Sequence, residues 1–323
     1  MSTSTPSLRI GTRASLLART QSEQVGKAIF AALGRDTVLV NVSTEGDVNM
    51  APVSGPNGLG GTGVFVSAVR DALLRGEVDL VVHSLKDLPT APADGITLAA
   101  VPLREDPRDV VVARDGLTLG ELPQGSKVGT GAPRRVAQIE ALGFPIELVG
   151  IRGNVDTRIG KVRSGELDAV VLARAGISRL GRLDEVTEVL DPLQVLPSPG
   201  QGALAIECRS ADAELAAALH DALDDAHTHA CVLAERALLA GLEAGCSAPV
   251  GALAEIAEGD DGDELWIRAV ALSPDGGLFV RRSASGPPDD AVGVGQRLAA
   301  EMLADGAAEL IDPSPVDAVR RRS

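Results

Sequence analysis

The chain has 323 residues and a formal net charge of −15, with 45% apolar residues but only 2% aromatic ones. This length allows two or three domains with cores of Val, Leu, Ile and Ala, while the acidic balance and the lack of aromatics argue against nucleic acid or an anionic membrane as partners. Three cysteines without a CxxC, a polar residue 1–7 tail and no apolar run of about 18 residues predict a reduced, cytoplasmic protein rather than a secreted or membrane one, and the acidic, aromatic-poor composition leads us to expect a monomer.

Leu8-Arg-Ile10 reads as a strand that breaks at Gly11-Thr12-Arg13. Ser15 can cap a helix over Leu16–Leu33 that stops at Gly34. Thr37–Val42 is a β-branched, strand-like run, and residues 43–63, rich in Gly, Pro, Asn and Ser, read as a flap. A helix over Val64–Arg75 ends at Gly76, followed by a buried-type strand at Asp79–His83 and a loop at Ser84–Pro89. The same order then returns. Ser126-Lys-Val-Gly-Thr130 echoes the first strand and its Gly-Thr, a helix over Pro133–Leu142 ends at Gly143, and Ile146–Val149 is a strand. Arg152–Asp156 is a loop, a helix starts near Thr157, and Gly165-Glu-Leu-Asp-Ala-Val-Val-Leu172 parallels Gly76-Glu-Val-Asp-Leu-Val-Val82.

Such a degenerate repeat of alternating β and α elements predicts two lobes with parallel strands and helices on both faces. The loops at the strand carboxyl ends would line one cleft between them. After a Pro-rich link at 191–199, Gly200–Glu207 reads as a strand returning to the first lobe's sheet. From about Asp224 the pattern changes to a helix over Val232–Leu242 and strands at Val250–Ile256, Leu265–Leu272 and Leu278–Arg282. Hairpin turns separate the strands, and a helix follows over Asp289–Leu303. The expected fold class is α/β: two lobes with mostly parallel sheets and a small C-terminal α+β domain with an antiparallel sheet. The expected domains are 1–102 with 200–222, 103–199, and 223–323.

Arginines gather on the expected cleft loops: Arg13, Arg134, Arg135, Arg152, Arg158, Arg174 and Arg179. Several lie near helix N-termini, where anions are favoured, and guanidinium binds carboxylate or phosphate in bidentate fashion. In an acidic chain this points to a polyanionic ligand; Arg108 and Arg163 read instead as surface arginines paired with nearby acids. Asp87 closes His83-Ser-Leu-Lys-Asp87 at a strand end, beside Lys86, where a carboxylate can stabilise a cation, cap a turn or move a proton. Cys246 sits on a short loop between Gly245 and Pro249, a place suited to covalent work or to a small buried residue. Gly58–Gly63 matches GxGxxG but follows no strand, so no dinucleotide site is expected. His220, His227, His229 and Cys231 are metal-ligand types. His227 and His229 are two apart and would face different sides of a helix, so a solvated helix face and no metal site are expected.

Several stretches resemble one family in order along the chain. They are Arg9-Ile-Gly-Thr-Arg-Ala-Ser15, Gly63-Val-Phe-Val66, His83–Asp87, Arg104-Glu-Asp-Pro-Arg-Asp109, Val128-Gly-Thr130 with Arg134-Arg135, and Arg152-Gly-Asn-Val155. Leu196-Pro, Gly200-Gln-Gly202, Glu207-Cys-Arg209, Ala234-Glu-Arg236 and Gly245-Cys246 continue the set. Together they resemble the porphobilinogen deaminase (hydroxymethylbilane synthase) family. The resemblance implies two lobes like those of periplasmic binding proteins. It also implies a transferase that joins four porphobilinogen units head to tail, releases ammonia and yields the linear tetrapyrrole 1-hydroxymethylbilane. It implies a dipyrromethane cofactor held as a thioether on Cys246, with Asp87 as the catalytic aspartate. Lys86, Arg13, Ser15, Thr130, Arg134, Arg135 and Arg158 match cofactor-binding positions, and Arg13, Arg152, Arg158, Arg179 and Phe65 match substrate-binding ones. Many members carry Thr-Ser-Ser-Leu where this chain has Thr130-Gly-Ala-Pro133, so two hydroxyls are absent from the cofactor loop. A non-catalytic anion-binding module or inactive paralogue is the competing reading; it leaves Cys246, Asp87 and the third domain unexplained.

Overall fold

The repeat is visible in one hydrogen-bonding device used twice. Asp79 accepts from the backbone N–H of Arg9 at 2.8 Å and returns its own N–H to the Arg9 carbonyl at 2.8 Å. Asp168 does the same to Lys127, at 2.7 Å and 2.9 Å. In each copy the Asp of the Gly-Glu-x-Asp motif thereby fixes the register at which the later strand enters beside the first. The preceding glycines, Gly76 and Gly165, turn the chain out of its helix with φ of 72° and 76°.

The computed structural model describes residues 6–42, 62–244, 248–259 and 262–311. The expected flap at 43–61 and the Gly245-Cys246-Ser247 stretch lie outside the described residues, as does the side chain of Phe65. The chain forms two compact units, Met1–Arg104 with Ala203–His229, and Glu105–Gly202 with Ala230–Ser323.

The first unit holds β1 (Leu8–Thr12), α1 (Leu16–Leu33), β2 (Thr37–Asn41), α2 (Thr62–Leu74), β3 (Leu80–Ser84) and β4 (Ile96–Ala100). The returning strand β10 (Leu204–Arg209) and α6 (Ala213–Leu223) complete it. Its sheet has the order β2-β1-β3-β10-β4. The first three strands are parallel, and β10 runs antiparallel to both of its neighbours. The strand expected at Gly200–Glu207 thus joins the first lobe's sheet, displaced a few residues along the chain. Ser15 caps α1 by accepting from the Ala18 N–H at 3.3 Å, and Gly34 ends it in the left-handed region. Val25, Ile29 and Leu219 from α1 and α6 pack with Ile10, Leu80, Val82 and Ile206, while Val69, Ala72 and Leu73 from α2 pack with Val81. Alternate strand residues serve the two packed layers.

The second unit repeats this plan with β5 (Asp109–Ala113), β6 (Lys127–Thr130), α3 (Pro133–Ala141), β7 (Glu147–Gly150), α4 (Val155–Arg163), β8 (Ala169–Ala173), α5 (Arg174–Arg179) and β9 (Glu188–Val189). The order is β7-β6-β8-β5-β9, again three parallel strands followed by antiparallel ones. Val111 and Val171 face Ile139 of α3, whereas Val110, Val112, Val170 and Leu172 face Ile159, Val162 and Ile177 of α4 and α5. The chain continues through α7 (Ala226–Gly241) into a meander of β11 (Val250–Gly259), β12 (Gly262–Leu272) and β13 (Phe279–Gly286), then α8 (Ala291–Ala304) and α9 (Ala307–Ile311). The meander is antiparallel throughout. Within this unit Leu253, Val270 and Leu272 pack on Ala137 and Leu196, and fully buried Glu235 accepts from Gly200 N–H at 2.5 Å and Ala254 N–H at 2.8 Å. That bridge gives the Ala234-Glu-Arg236 stretch a physical role.

Several expectations shift. Helix α7 starts at Ala226 rather than Val232, because Asp225 caps it through its side chain to Thr228 N–H at 2.8 Å. Helix α6 and strands β4 and β5 were not expected. Strand β5 escaped notice because it opens on a charged residue, Asp109, that is completely buried.

Candidate active site

In the first unit, β3 delivers its C-terminal end into a 3₁₀ turn over Leu85–Asp87. The turn is pinned by Leu85 N–H on the Ala203 carbonyl at 3.0 Å, and Ser84 accepts from Gln21 Nε2 at 2.9 Å. Asp87 is half-buried, and its carboxylate has no hydrogen bond or ion pair among the described residues. Lys86, Arg13 and Ser15 lie on the same unit, beyond the carboxyl ends of β3 and β1, and all three are half-buried. Ser15 accepts from Ala18 N–H and retains its own hydroxyl hydrogen as a donor.

Behind this turn, Glu207 on β10 accepts from Arg70 Nε at 2.9 Å and Nη2 at 2.5 Å, and His83 Nε2 lies 3.2 Å from Oε2, the oxygen that also accepts from Arg70 Nε. Burial alone would raise the Glu207 carboxyl, but the hydrogen bonds from Arg70 and His83 outweigh it and hold the group at about 2. His83, on the strand that leads into the Asp87 turn, is therefore a buried partner of a carboxylate on β10. Cys208 is completely buried, and burial followed by the Asp212 charge pushes its thiol up to about 11, which removes it as a nucleophile near neutral pH.

In the second unit the arginines separate into two groups. Arg134 and Arg135 open α3 and are buried. Arg134 donates to Asp109 and to the Leu196 carbonyl, each at 2.7 Å, and Arg135 donates to Asp109 at 2.8 Å and to the Val171 carbonyl at 3.0 Å. Gln201 adds a third donor to Asp109 at 2.7 Å. Burial would raise the Asp109 carboxyl, but the two arginines, by charge and hydrogen bond, hold it well below the usual carboxylate range. Arg174 pairs with Glu105 at 3.3 Å and Asp106 at 3.4 Å. Arg108 and Arg163 also carry acid partners, Asp106 and Glu185.

The other group has no carboxylate partner among the described residues. Arg152 is exposed at the end of β7. Arg158 in α4 donates through Nε to the Gly153 carbonyl at 2.9 Å, and Arg179 donates to the Gly202 carbonyl at 2.7 Å. Burial, with the Arg135 charge adding to it, lowers Arg158 below the ordinary arginine value, and burial lowers Arg179 against the pull of Glu105. Arg135 keeps a buried Nε with no hydrogen-bond partner among the described residues. One buried carboxylate thus serves two buried guanidiniums with a third, half-buried one nearby, an excess of positive charge that calls for an anion.

The loop between β6 and α3 explains the departure noted in the sequence. A Cβ at Gly131 would sit 2.6 Å from the Ile151 carbonyl oxygen, so this backbone approach excludes a side chain, whereas Ala132 is the N-cap of α3 and makes no side-chain cap. Thr130 is buried, and its hydroxyl oxygen accepts from Ala132 N–H at 3.4 Å. Sequence reasoning missed Asp109 and Glu207 as counter-ions. The available signal was an acid placed on a strand otherwise made of Val and Ala, or Leu, Ala and Ile, since such a strand is buried and its acid needs a partner.

Residues 8–217 match the family model for the porphobilinogen deaminase dipyromethane cofactor binding domain, and residues 229–304 match the porphobilinogen deaminase C-terminal domain. A porphobilinogen deaminase of Nocardia farcinica is 58% identical over 314 residues, covering 96% of this chain and 89% of its own. Porphobilinogen deaminase 1 of Streptomyces coelicolor is 58% identical over 313 residues, covering 94% of this chain and 97% of its own. Among solved structures, the methionine-binding protein MetQ covers 67% of this chain and 89% of its own at 14% identity and a TM-score of 0.43. The matched models span both units and the relatives match nearly end to end, so this chain belongs to the porphobilinogen deaminase family, transferases of tetrapyrrole synthesis with a dipyrromethane cofactor.

Proposed function

We propose that the chain condenses four porphobilinogen molecules into 1-hydroxymethylbilane with release of ammonia, using Asp87 as its catalytic group and Cys246 as the thioether anchor of the cofactor. The observation that carries this reading is the set of desolvated or exposed guanidiniums, Arg152, Arg158 and Arg179, that have no carboxylate partner among the described residues, together with the orphaned Nε of Arg135. A pyrrole substrate with one acetate and one propionate supplies the missing anions, two per ring.

The residues fit the cofactor, whose own carboxylates match the same excess of charge. Arg13, Ser15, Lys86, Thr130, Arg135 and Arg158 are the residues we assign to holding it. Arg134, whose nitrogens face Asp109, Leu196 and Gln201, acts through its charge and through the position it gives Arg135. When bound, the dipyrromethane supplies the pyrrole terminus to which substrate is added. Arg13, Arg152, Arg158 and Arg179 bind substrate carboxylates, with Phe65 against the ring. Deamination of porphobilinogen leaves positive charge spread to the pyrrole nitrogen, and Asp87 accepts the pyrrole N–H and stabilises that charge. A carboxylate with no competing partner on a braced strand end is suited to this task, because no existing bond has to break first.

The reading includes three domains, 1–102 with 200–222, 103–199, and 223–323 carrying Cys246. It describes a cytoplasmic monomer with no nucleic-acid or membrane partner; no helix among the described residues is long and apolar enough to cross a membrane. Intact-mass spectrometry tests it. Protein from cells that make porphobilinogen carries an adduct of two pyrrole units, and Cys246→Ser lacks it. An unmodified thiol in the wild-type protein refutes the reading.

A further inference from the structure

His227 and His229, two residues apart, share no helix face. The fold brings together a different set. His220 lies on the last turn of α6, Asp224 is the residue that closes that helix, and His229 lies on the first turn of α7. Their ligand atoms are within 4.8 Å of one another. His229 Nδ1 is 2.8 Å from Asp224 Oδ1, His220 Nδ1 is 3.8 Å from Asp224 Oδ2, and the two rings meet edge to face at 6.5 Å.

The geometry points to a binding site for a zinc-class divalent cation at the α6–α7 junction, with His220, Asp224 and His229 as its ligands. Two imidazoles and one carboxylate form a donor set that suits Zn²⁺ and its neighbours rather than Mg²⁺ or Ca²⁺, and it leaves further positions for water. The carboxylate is prepositioned: Asp224 is nearly buried, and its Oδ1 also accepts from Val101 N–H at 2.7 Å, the outer hydrogen bond that orients a ligating group. Ligands around a tetrahedral ion with bonds near 2.0–2.1 Å lie about 3.3 Å apart, so the His229 ring has to exchange its 2.8 Å hydrogen bond to Asp224 for the ion by a small outward shift, and His220 has to move inward. His220 can do so, because its side chain is 57% exposed at a helix end.

The location gives a bound ion a structural consequence. Asp225 N–H donates to the Val101 carbonyl at 2.9 Å and Arg104 N–H donates to Thr228 Oγ1 at 3.1 Å. The segments 101–104 and 224–229, through which the chain leaves the first unit twice, are thereby tied together inside it. A cation on Asp224 would clamp α6 and α7 to the same tie.

The test is titration of the tag-free, cofactor-loaded full chain with Co²⁺, read by visible absorption, for the wild type, His220→Ala and His229→Gln. The expected result is a d–d spectrum of nitrogen and oxygen ligands without a thiolate charge-transfer band. The affinity should fall at least about ten-fold in each variant, the lower bound for disturbing even an outer-shell partner. Absence of Co²⁺ binding to the wild type, a thiolate band, or an affinity unchanged in His220→Ala overturns the proposal. In those cases the three side chains form a helix-junction hydrogen-bond group only.

Discussion

Asp109→Asn is the sharpest probe of how the second unit carries its buried arginines. The carboxylate is 0% exposed and accepts from Arg134 at 2.7 Å, Arg135 at 2.8 Å and Gln201 at 2.7 Å. Asparagine keeps the volume, so no cavity forms, but it removes the negative charge that, among the described residues, pairs with both buried guanidiniums, and it turns one acceptor into a donor facing other donors. Breaking a buried ion pair from one side costs about 3–5 kcal/mol. At 1.36 kcal/mol per factor of ten, local opening of β5 and α3 rises by about 10² to 10⁴. Hydrogen exchange of peptides covering residues 109–113 and 133–141 reads this directly, with peptides of the first unit as an internal control. The pH dependence has a fixed sign. The native carboxyl is held below its ordinary value, so its contribution is fully present above about pH 4 and is lost as pH falls through the lowered value. Exchange in Asp109→Asn within ten-fold of wild type would refute the reasoning and show that the arginines are neutralised by something else.

Other consequences are measurable in the same protein. Glu207 goes from 4.5 to about 2, so it contributes on the order of 3 kcal/mol to the first unit above about pH 4.5, lost as pH falls toward 2; Glu207→Gln should flatten that acid limb in a urea-unfolding series. Ala132→Ser supplies the missing cap of α3 and should stabilise by about 1 kcal/mol with activity unchanged or slightly raised, seen as a higher melting temperature. Gly131→Ser should do the reverse, because its Cβ meets the Ile151 carbonyl oxygen at 2.6 Å; equal melting temperatures for the two variants would sink this account of the loop. Asp87→Asn should assemble cofactor, as judged by intact mass, yet turn over very slowly; near-normal rates would remove Asp87 from the mechanism.

What the sequence displayed well was local punctuation. Ser15 and Gly34 bound α1 where their chemistry requires, and Gly143 turns the chain beyond α3 with φ 71°. The β/α alternation and the paired Gly-Glu-x-Asp motifs exposed the repeat because each motif performs the same local task. Long-range pairing was illegible. Arg134 and Arg135 meet Asp109 across 25 and 26 residues of chain, and Arg70 meets Glu207 across 137. Nothing in a run of arginines tells which have an acid waiting and which do not. Strand β5 and helix α6 were missed for a related reason. A charged first residue and an Ala-rich helix read as surface, and only tertiary burial reverses that reading.

The two copies share a scaffold and divide the chemistry. Asp79 and Asp168 brace equivalent strands in the same way, so the ends of β3 and β8 are equivalent places in the two units. After β3 the chain places Lys86 and Asp87; after β8 it places Arg174 and Arg179. The duplicated fold thus places Lys86 and Asp87 after one strand and, after the other, a short helix whose Arg174 is paired with Glu105 and Asp106 and whose Arg179 has no carboxylate partner among the described residues. Had both copies kept a carboxylate at this position, each would oppose the anionic substrate. Had both kept arginine, no group would stabilise the cation formed on deamination. Under the proposed function, divergence at these strand ends, with the Asp braces retained, would separate binding of negative side chains from stabilisation of positive charge on the ring. Exchanging the two ends, by Asp87→Arg with Arg179→Asp, should abolish turnover while leaving the hydrogen-exchange protection of β3 and β8 intact. Loss of that protection would mean the strand ends and the braces are not separable.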